Sequence, residues 1–90
     1  MSARSNAEVD REIWECLFKA DGPMLFFSTD YNAARVAWMR LTEEQKIKAL
    51  RLVRTEEGID DNLAAVAIIV SATPRQLCDW ILEVVEGSDG

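Results

Sequence analysis

A chain of 90 residues with sixteen acids, ten bases and no histidine carries a net charge of −6. That length makes one domain and leaves no room for a second core. The missing histidine excludes Ser–His–Asp and Cys–His catalysis and most zinc sites, and the negative balance opposes direct nucleic-acid binding.

Residues 1–5 read as a loose tail. Ser5 with Glu8 has the spacing of a capping box, in which each residue satisfies an amide of the first helical turn. The spacing predicts a helix from there to about Lys19, with Val9, Ile13, Cys16, Leu17 and Ala20 on its apolar face and Trp14 and Phe18 at the edge. Asp21-Gly22-Pro23 ends it. Met24 to Phe27 is a short apolar run, either a strand or a buried connector. Ser28-Thr29-Asp30 offers a choice of N-caps for a helix over 31–40 that turns Ala34, Ala37, Trp38 and Leu41 inward.

Thr42 and Gln45 form the next capping box, with Glu43 and Glu44 where a helix dipole favours negative charge. Ile47, Leu50 and Val53, with Ala49 and Leu52, make the buried side of that helix, and Gly58 stops it. Asp60 or Asp61 caps a segment, Leu63 to Val70, that is apolar all round and therefore expected to be covered on all sides. Its alanines favour helix, while its β-branched cluster also suits a buried strand. Thr73-Pro74 opens a last helix whose wide apolar arc holds Leu77, Cys78, Trp80, Ile81, Leu82, Val84 and Val85. Gly87 stops it, and 88–90 form a second loose tail.

The fold expected is mainly α, a single compact bundle of about five short helices over residues 1–90. The alternative is α+β, with a two-stranded pairing of 24–27 and 66–70. Leu63 to Val70, the longest apolar run, falls far short of the roughly 20 residues that span a bilayer. Met1 to Glu8 lacks the apolar centre of a signal peptide. Cys16 and Cys78 are too few for a disulfide scaffold and read as buried small hydrophobes. These features imply a cytoplasmic protein with reduced thiols, no metal and no cofactor.

Charge is divided along the chain. Residues 31–55 carry Arg35, Arg40, Lys46, Lys48, Arg51 and Arg54 against Glu43 and Glu44, whereas 56–90 hold eight acids and Arg75. The basic middle is expected to pair with its acidic flanks, within one chain or across a dimer. Asp79, Glu83 and Glu86, spaced four then three, form an acidic stripe on one face of the last helix. Such a stripe either simply faces solvent or mimics phosphates toward a nucleic-acid-binding protein. Trp14 and Trp80 stand at the edges of their arcs, where tryptophans serve as interface anchors. Arg35, Arg40, Lys48 and Arg51 are candidates for a ligand or charge-pairing patch.

Two stretches carry a resemblance. Phe27-Ser28-Thr29-Asp30-Tyr31-Asn32-Ala33-Ala34 and Ala72-Thr73-Pro74-Arg75-Gln76-Leu77-Cys78, with Arg11-Glu12-Ile13 on a helix ahead of them, resemble the small phage proteins of the phage ABA-sandwich family. The chain departs from that family over 42–58, which reads as a charged helix where the family has central strands. The resemblance implies a phage or prophage origin, and by analogy a protein that binds and blocks a host protein, including host defence complexes. The function expected is thus a non-enzymatic interaction protein with a host-protein partner. The alternative is a small-ligand or nucleotide-binding oligomer. A helix apolar all round and wide arcs on two others also imply a two-fold homodimer.

Overall fold

The computed structural model describes residues 4–87. Five helices follow one another: α1 (Asn6–Leu17), α2 (Tyr31–Met39), α3 (Glu43–Glu57), α4 (Asn62–Ser71) and α5 (Pro74–Glu86), with no strand among the described residues. The mainly α bundle is therefore the architecture, and both runs proposed for a two-stranded pairing lie elsewhere, 24–27 in a connector and 66–70 inside α4. The radius of gyration, 12.4 Å, matches the value of about 12 Å for one compact domain of this length.

The helix starts are set locally, by short polar side chains that take up orphan amides. Ser5 and Glu8 close a capping box on α1, and Thr42 and Gln45 close one on α3. Asp30 accepts from the Asn32 amide, Asp61 from Leu63 and Thr73 from Gln76. Gly58 ends α3 in the left-handed conformation, φ 69°, which a residue without Cβ adopts at little cost.

α1 stops at Leu17, two residues before the expected Lys19. Lys19 and Ala20 both turn left-handed, each at φ 55°, and the Trp14 carbonyl accepts from the amides of Phe18 and Ala20. This tight reversal sends the chain back across α1. Trp14 Nε1 donates to the Gly22 carbonyl at 3.2 Å, and the Phe18 ring stacks on Phe27 at 5.3 Å. The run 24–27 is a half-buried connector: Phe27 is enclosed, whereas Met24 and Phe26 are exposed.

Ser28 does not cap α2. Its amide donates to the Asp10 carboxylate at 2.7 Å, and its hydroxyl donates to the Asn6 carbonyl. Asp10 and Ser28 are both buried, so this bond gives a buried carboxylate of α1 a partner from the connector backbone. One residue earlier, the Phe27 carbonyl accepts from Cys78 Sγ at 3.1 Å. The connector is thereby fastened to α1 on one side and α5 on the other.

α5 is the central element. It packs against α1, α2 and α3, and Leu77, Cys78, Trp80, Ile81, Leu82 and Val84 are all buried. α4 packs chiefly on α3. Several sequence expectations change on this account. α4 is helical but not enclosed: only Ala65 and Ile69 are buried, and Leu63 and Val70 lie open. Ile47 on α3 is also exposed, the buried side of that helix being Ala49 and Val53. Cys16 is exposed, at the margin of the α1 face that Val9, Asp10 and Ile13 bury, while Cys78 is fully buried. Of the expected tails, Arg4 and Ser5 are held in place, Arg4 by Glu12 and Glu86 at 3.1 Å each and Ser5 as a helix cap. Residues 1–3 and 88–90 lie outside the described part.

The two thiols should separate experimentally. Replacing Cys78 with alanine is expected to cost about 1–2 kcal/mol in urea unfolding, through lost burial and a lost hydrogen bond. The same change at Cys16 should stay within about 0.5 kcal/mol. Burial foremost, then Asp10 and Asp79, pushes the Cys78 thiol from its ordinary 9.0 up to about 12. Above pH 9 the unfolded chain then holds fewer protons than the folded one, so this contribution to stability is present below about 9 and is lost as pH rises toward 12. Melting temperature should fall over that window, and fall less steeply in Cys78→Ala. Equal slopes in the two proteins would count against a buried, protonated Cys78.

Candidate functional site

The residues singled out from sequence do not converge. In the acidic stripe, Asp79 accepts from Arg75 Nε at 3.1 Å and Glu86 accepts from Arg4 at 3.1–3.2 Å, leaving Glu83 as the exposed acid between them. Arg75 also donates to the Asn6 side chain and the Arg4 carbonyl, both at 2.7 Å. The stripe is thus two-thirds occupied by an internal clasp of the N-terminal segment onto α5. That weakens its use as a phosphate mimic, since a mimic needs its charge uncompensated.

Trp80 is buried, and its Nε1 donates to Glu56 Oε1 at 3.1 Å. It is a core residue tying α5 to α3, which corrects its assignment as a partner anchor. Trp14 is half-buried and holds the connector through Gly22.

The four bases of the presumed ligand patch stand in separate places. Arg40 lies over the Phe18 ring at 4.6 Å to the centroid, a cation–π contact. Lys48 sits beside Leu52, Glu83, Val84 and Gly87. Arg51 joins Arg54, Thr55 and Asp60 around a shallow polar depression of about 390 Å³ at the end of α3. Asp60 lines the same depression, yet neither cation forms an ion pair among the described residues, and Arg54 Nε is buried there without a hydrogen-bond partner. Arg35 belongs to a different surface. Among the described residues, no ion pair joins any base of 31–55 to a carboxylate, so the expected pairing of the basic middle with its acidic flanks does not form within the chain.

That different surface is a groove of about 340 Å³ between α2, α3 and α4. Helical spacing builds each wall. Tyr31, Arg35, Trp38 and Met39 recur along one face of α2, Lys46 and Leu50 come from α3, and Val66, Ile69 and Val70 come from α4. Leu77 of α5 closes the floor. Tyr31 Oη donates to the Val70 carbonyl at 3.0 Å, fixing the start of α2 to the end of α4. The lining is apolar apart from that hydroxyl, Arg35 and Lys46, and it contains no carboxylate.

The rim is more exposed than a core margin should be: Met39 is 69% and Val70 62% accessible. Val36 extends it along α2, where it shares a second shallow depression with Asn32, Arg35 and Met39. Leu63 extends it along α4, one turn before Val66 on the same face. Apolar side chains gathered in this way mark a docking surface more often than a bare exterior.

Sequence reasoning missed this site because it assigned α4 wholly to the interior. The available signal was the absence of any charge on Asn62–Ser71 in so short a chain: one bundle of this size has too little interior to enclose such a helix. Among the described residues, no three His, Cys, Asp or Glu side chains gather as metal ligands, and no helix is long and apolar enough to cross a membrane. No family model, curated protein or solved structure matches the chain.

Core and docking surface predict opposite mutational responses. Trp80→Ala should cost about 3–5 kcal/mol, whereas Met39→Ser should change stability by less than about 0.5 kcal/mol, both read by urea unfolding. A large loss at Met39 would mean that the groove rim is core after all.

Proposed function

We propose that this chain is a non-enzymatic interaction protein whose working surface is the groove between α2, α3 and α4, and that it acts in the host bacterial cytoplasm by occupying a host protein. One observation carries the reading. An apolar groove, rimmed by Met39, Val66 and Val70 and flanked by Arg35 and Lys46, lies open on a chain whose α1 and α5 bury most of their large apolar side chains. The groove offers shape, apolar area and two cations, which suit recognition; its only hydroxyl is engaged by a backbone carbonyl. The phage or prophage origin rests on the resemblance at residues 27–34 and 72–78, and blockade of a host defence or nucleic-acid-binding complex follows from that origin by analogy.

The nucleotide-binding alternative loses its support, since Arg35, Arg40, Lys48 and Arg51 do not surround one cleft. The two-fold dimer is the expectation from a need for cover on every side of α4 and from the wide arcs of α1 and α5. Only one flank of α4 lacks cover, and a single partner segment is enough to supply it.

Tagged protein incubated with bacterial lysate tests the reading when paired with Val66→Asp, which places a charge in the groove wall. A host protein retained by the wild type and lost by a folded Val66→Asp variant is the expected result. Equal retention by both, or none at micromolar protein, would remove the groove as the working surface.

A further inference from the structure

We infer that the occupant of the groove is a single amphipathic helix of acidic character, an inference that rests on the groove being the working surface. Shape is the first argument. Three helices wall the groove and its α2 and α4 rims, Met39, Val66 and Val70, lie exposed, which fits a rod lying between α2 and α4 above Leu50 and Leu77. A helix in an apolar groove is a recurring mode of recognition, read through anchors spaced by one turn. The walls carry that spacing. Arg35 and Met39 on α2, Lys46 and Leu50 on α3, and Val66 and Val70 on α4 are each four residues apart, about 6 Å along a helix. Apolar anchors repeating once per turn would seat between Met39 and Val70, with the flanking positions beside Arg35 and Lys46.

Charge is the second argument, and it chooses among occupants. The lining holds two cations and no carboxylate. Arg40, Lys48, Arg51 and Arg54 lie on the same two helices or at their ends, and none is in an ion pair among the described residues. This is the positive zone of a chain that is otherwise acidic, with net charge −6. It would steer an acidic segment toward the groove. A second copy placed here by two-fold symmetry would gather two Arg35 and two Lys46 around one axis, with no carboxylate in the lining to separate them. An acidic helix meets the same cations with opposite charge.

The test uses two helix-stapled synthetic peptides of about 16 residues, roughly four turns. They share leucines at i, i+3, i+4 and i+7, and their remaining positions are glutamate in one and lysine in the other. Fluorescence anisotropy is read with the wild type and with Val66→Asp, and groove binding is the difference between the two proteins. The glutamate peptide should show groove binding about tenfold tighter than the lysine peptide, the yield of two exposed ion pairs. The preference should shrink near 1 M salt, where the screening length is about 3 Å. It should reverse in the double variant Arg35→Glu, Lys46→Glu.

Groove binding that favours the lysine peptide, or no groove binding of the glutamate peptide, overturns the inference. So does a dimer of the protein alone that Val66→Asp dissociates in sedimentation, because the occupant is then a second copy. Each of these leaves the lysate result standing if host capture still depends on Val66. Only capture indifferent to Val66 removes the broader reading.

Discussion

The structure depends on the enclosure of α5. A thirteen-residue helix with six buried side chains must be surrounded, and three of the other four helices are committed to that task. Each large apolar side chain so enclosed contributes about 1.5–3 kcal/mol, which in a domain this small is the main source of stability. The cost is geometric. Once α1, α2 and α3 are placed around α5, nothing remains to cover the outer flank of α4, and the groove is what that shortage leaves behind.

The connector between α1 and α2 is the second half of this arrangement. It delivers Phe27 to the core from a segment without regular structure, so its backbone polar groups need partners that no helix supplies. Asp10 meets the Ser28 amide and Cys78 meets the Phe27 carbonyl. A carboxylate and a thiol thus hold the connector at its deepest point, and the left-handed pair Lys19 and Ala20 provides the reversal that brings it there. The same anchoring places Tyr31 at the start of α2, from where its hydroxyl reaches the end of α4.

The helices were legible because their ends are written in local chemistry. Ser5, Thr42, Asp61, Thr73 and Gly58 act where their side chains, or the lack of one, dictate. Burial was legible only where one face of a helix is unambiguous, as on α5. Periodicity states which residues prefer cover and not which receive it, so Ile47, Cys16 and Leu63 were assigned to an interior with no room for them. Trp80 erred in the other direction, since an indole at the margin of an arc is enclosed when a neighbouring acid, Glu56, satisfies its N–H. The groove depends on which helices end up adjacent, and the two salient charge patterns pointed elsewhere. Arg4 and Arg75 absorb most of the acidic stripe, and the four candidate bases disperse around the bundle.

The one-sided packing of α4 also governs how the molecule breathes. Helices open as cooperative units, at a free energy set by the apolar contacts each must give up. α5 gives up its packing against three helices and opens only with the whole domain. α4 gives up chiefly its seam with α3 and opens sooner, so its amides exchange with solvent through a sub-global event that leaves the rest folded. A ligand seated on its bare flank adds contacts that opening would break, and it spends part of its binding free energy suppressing that event. Affinity for this surface is therefore tied to the helical order of α4. Substitutions at the α3–α4 seam reach the groove without touching it, by changing the fraction of molecules in which the groove has all of its walls.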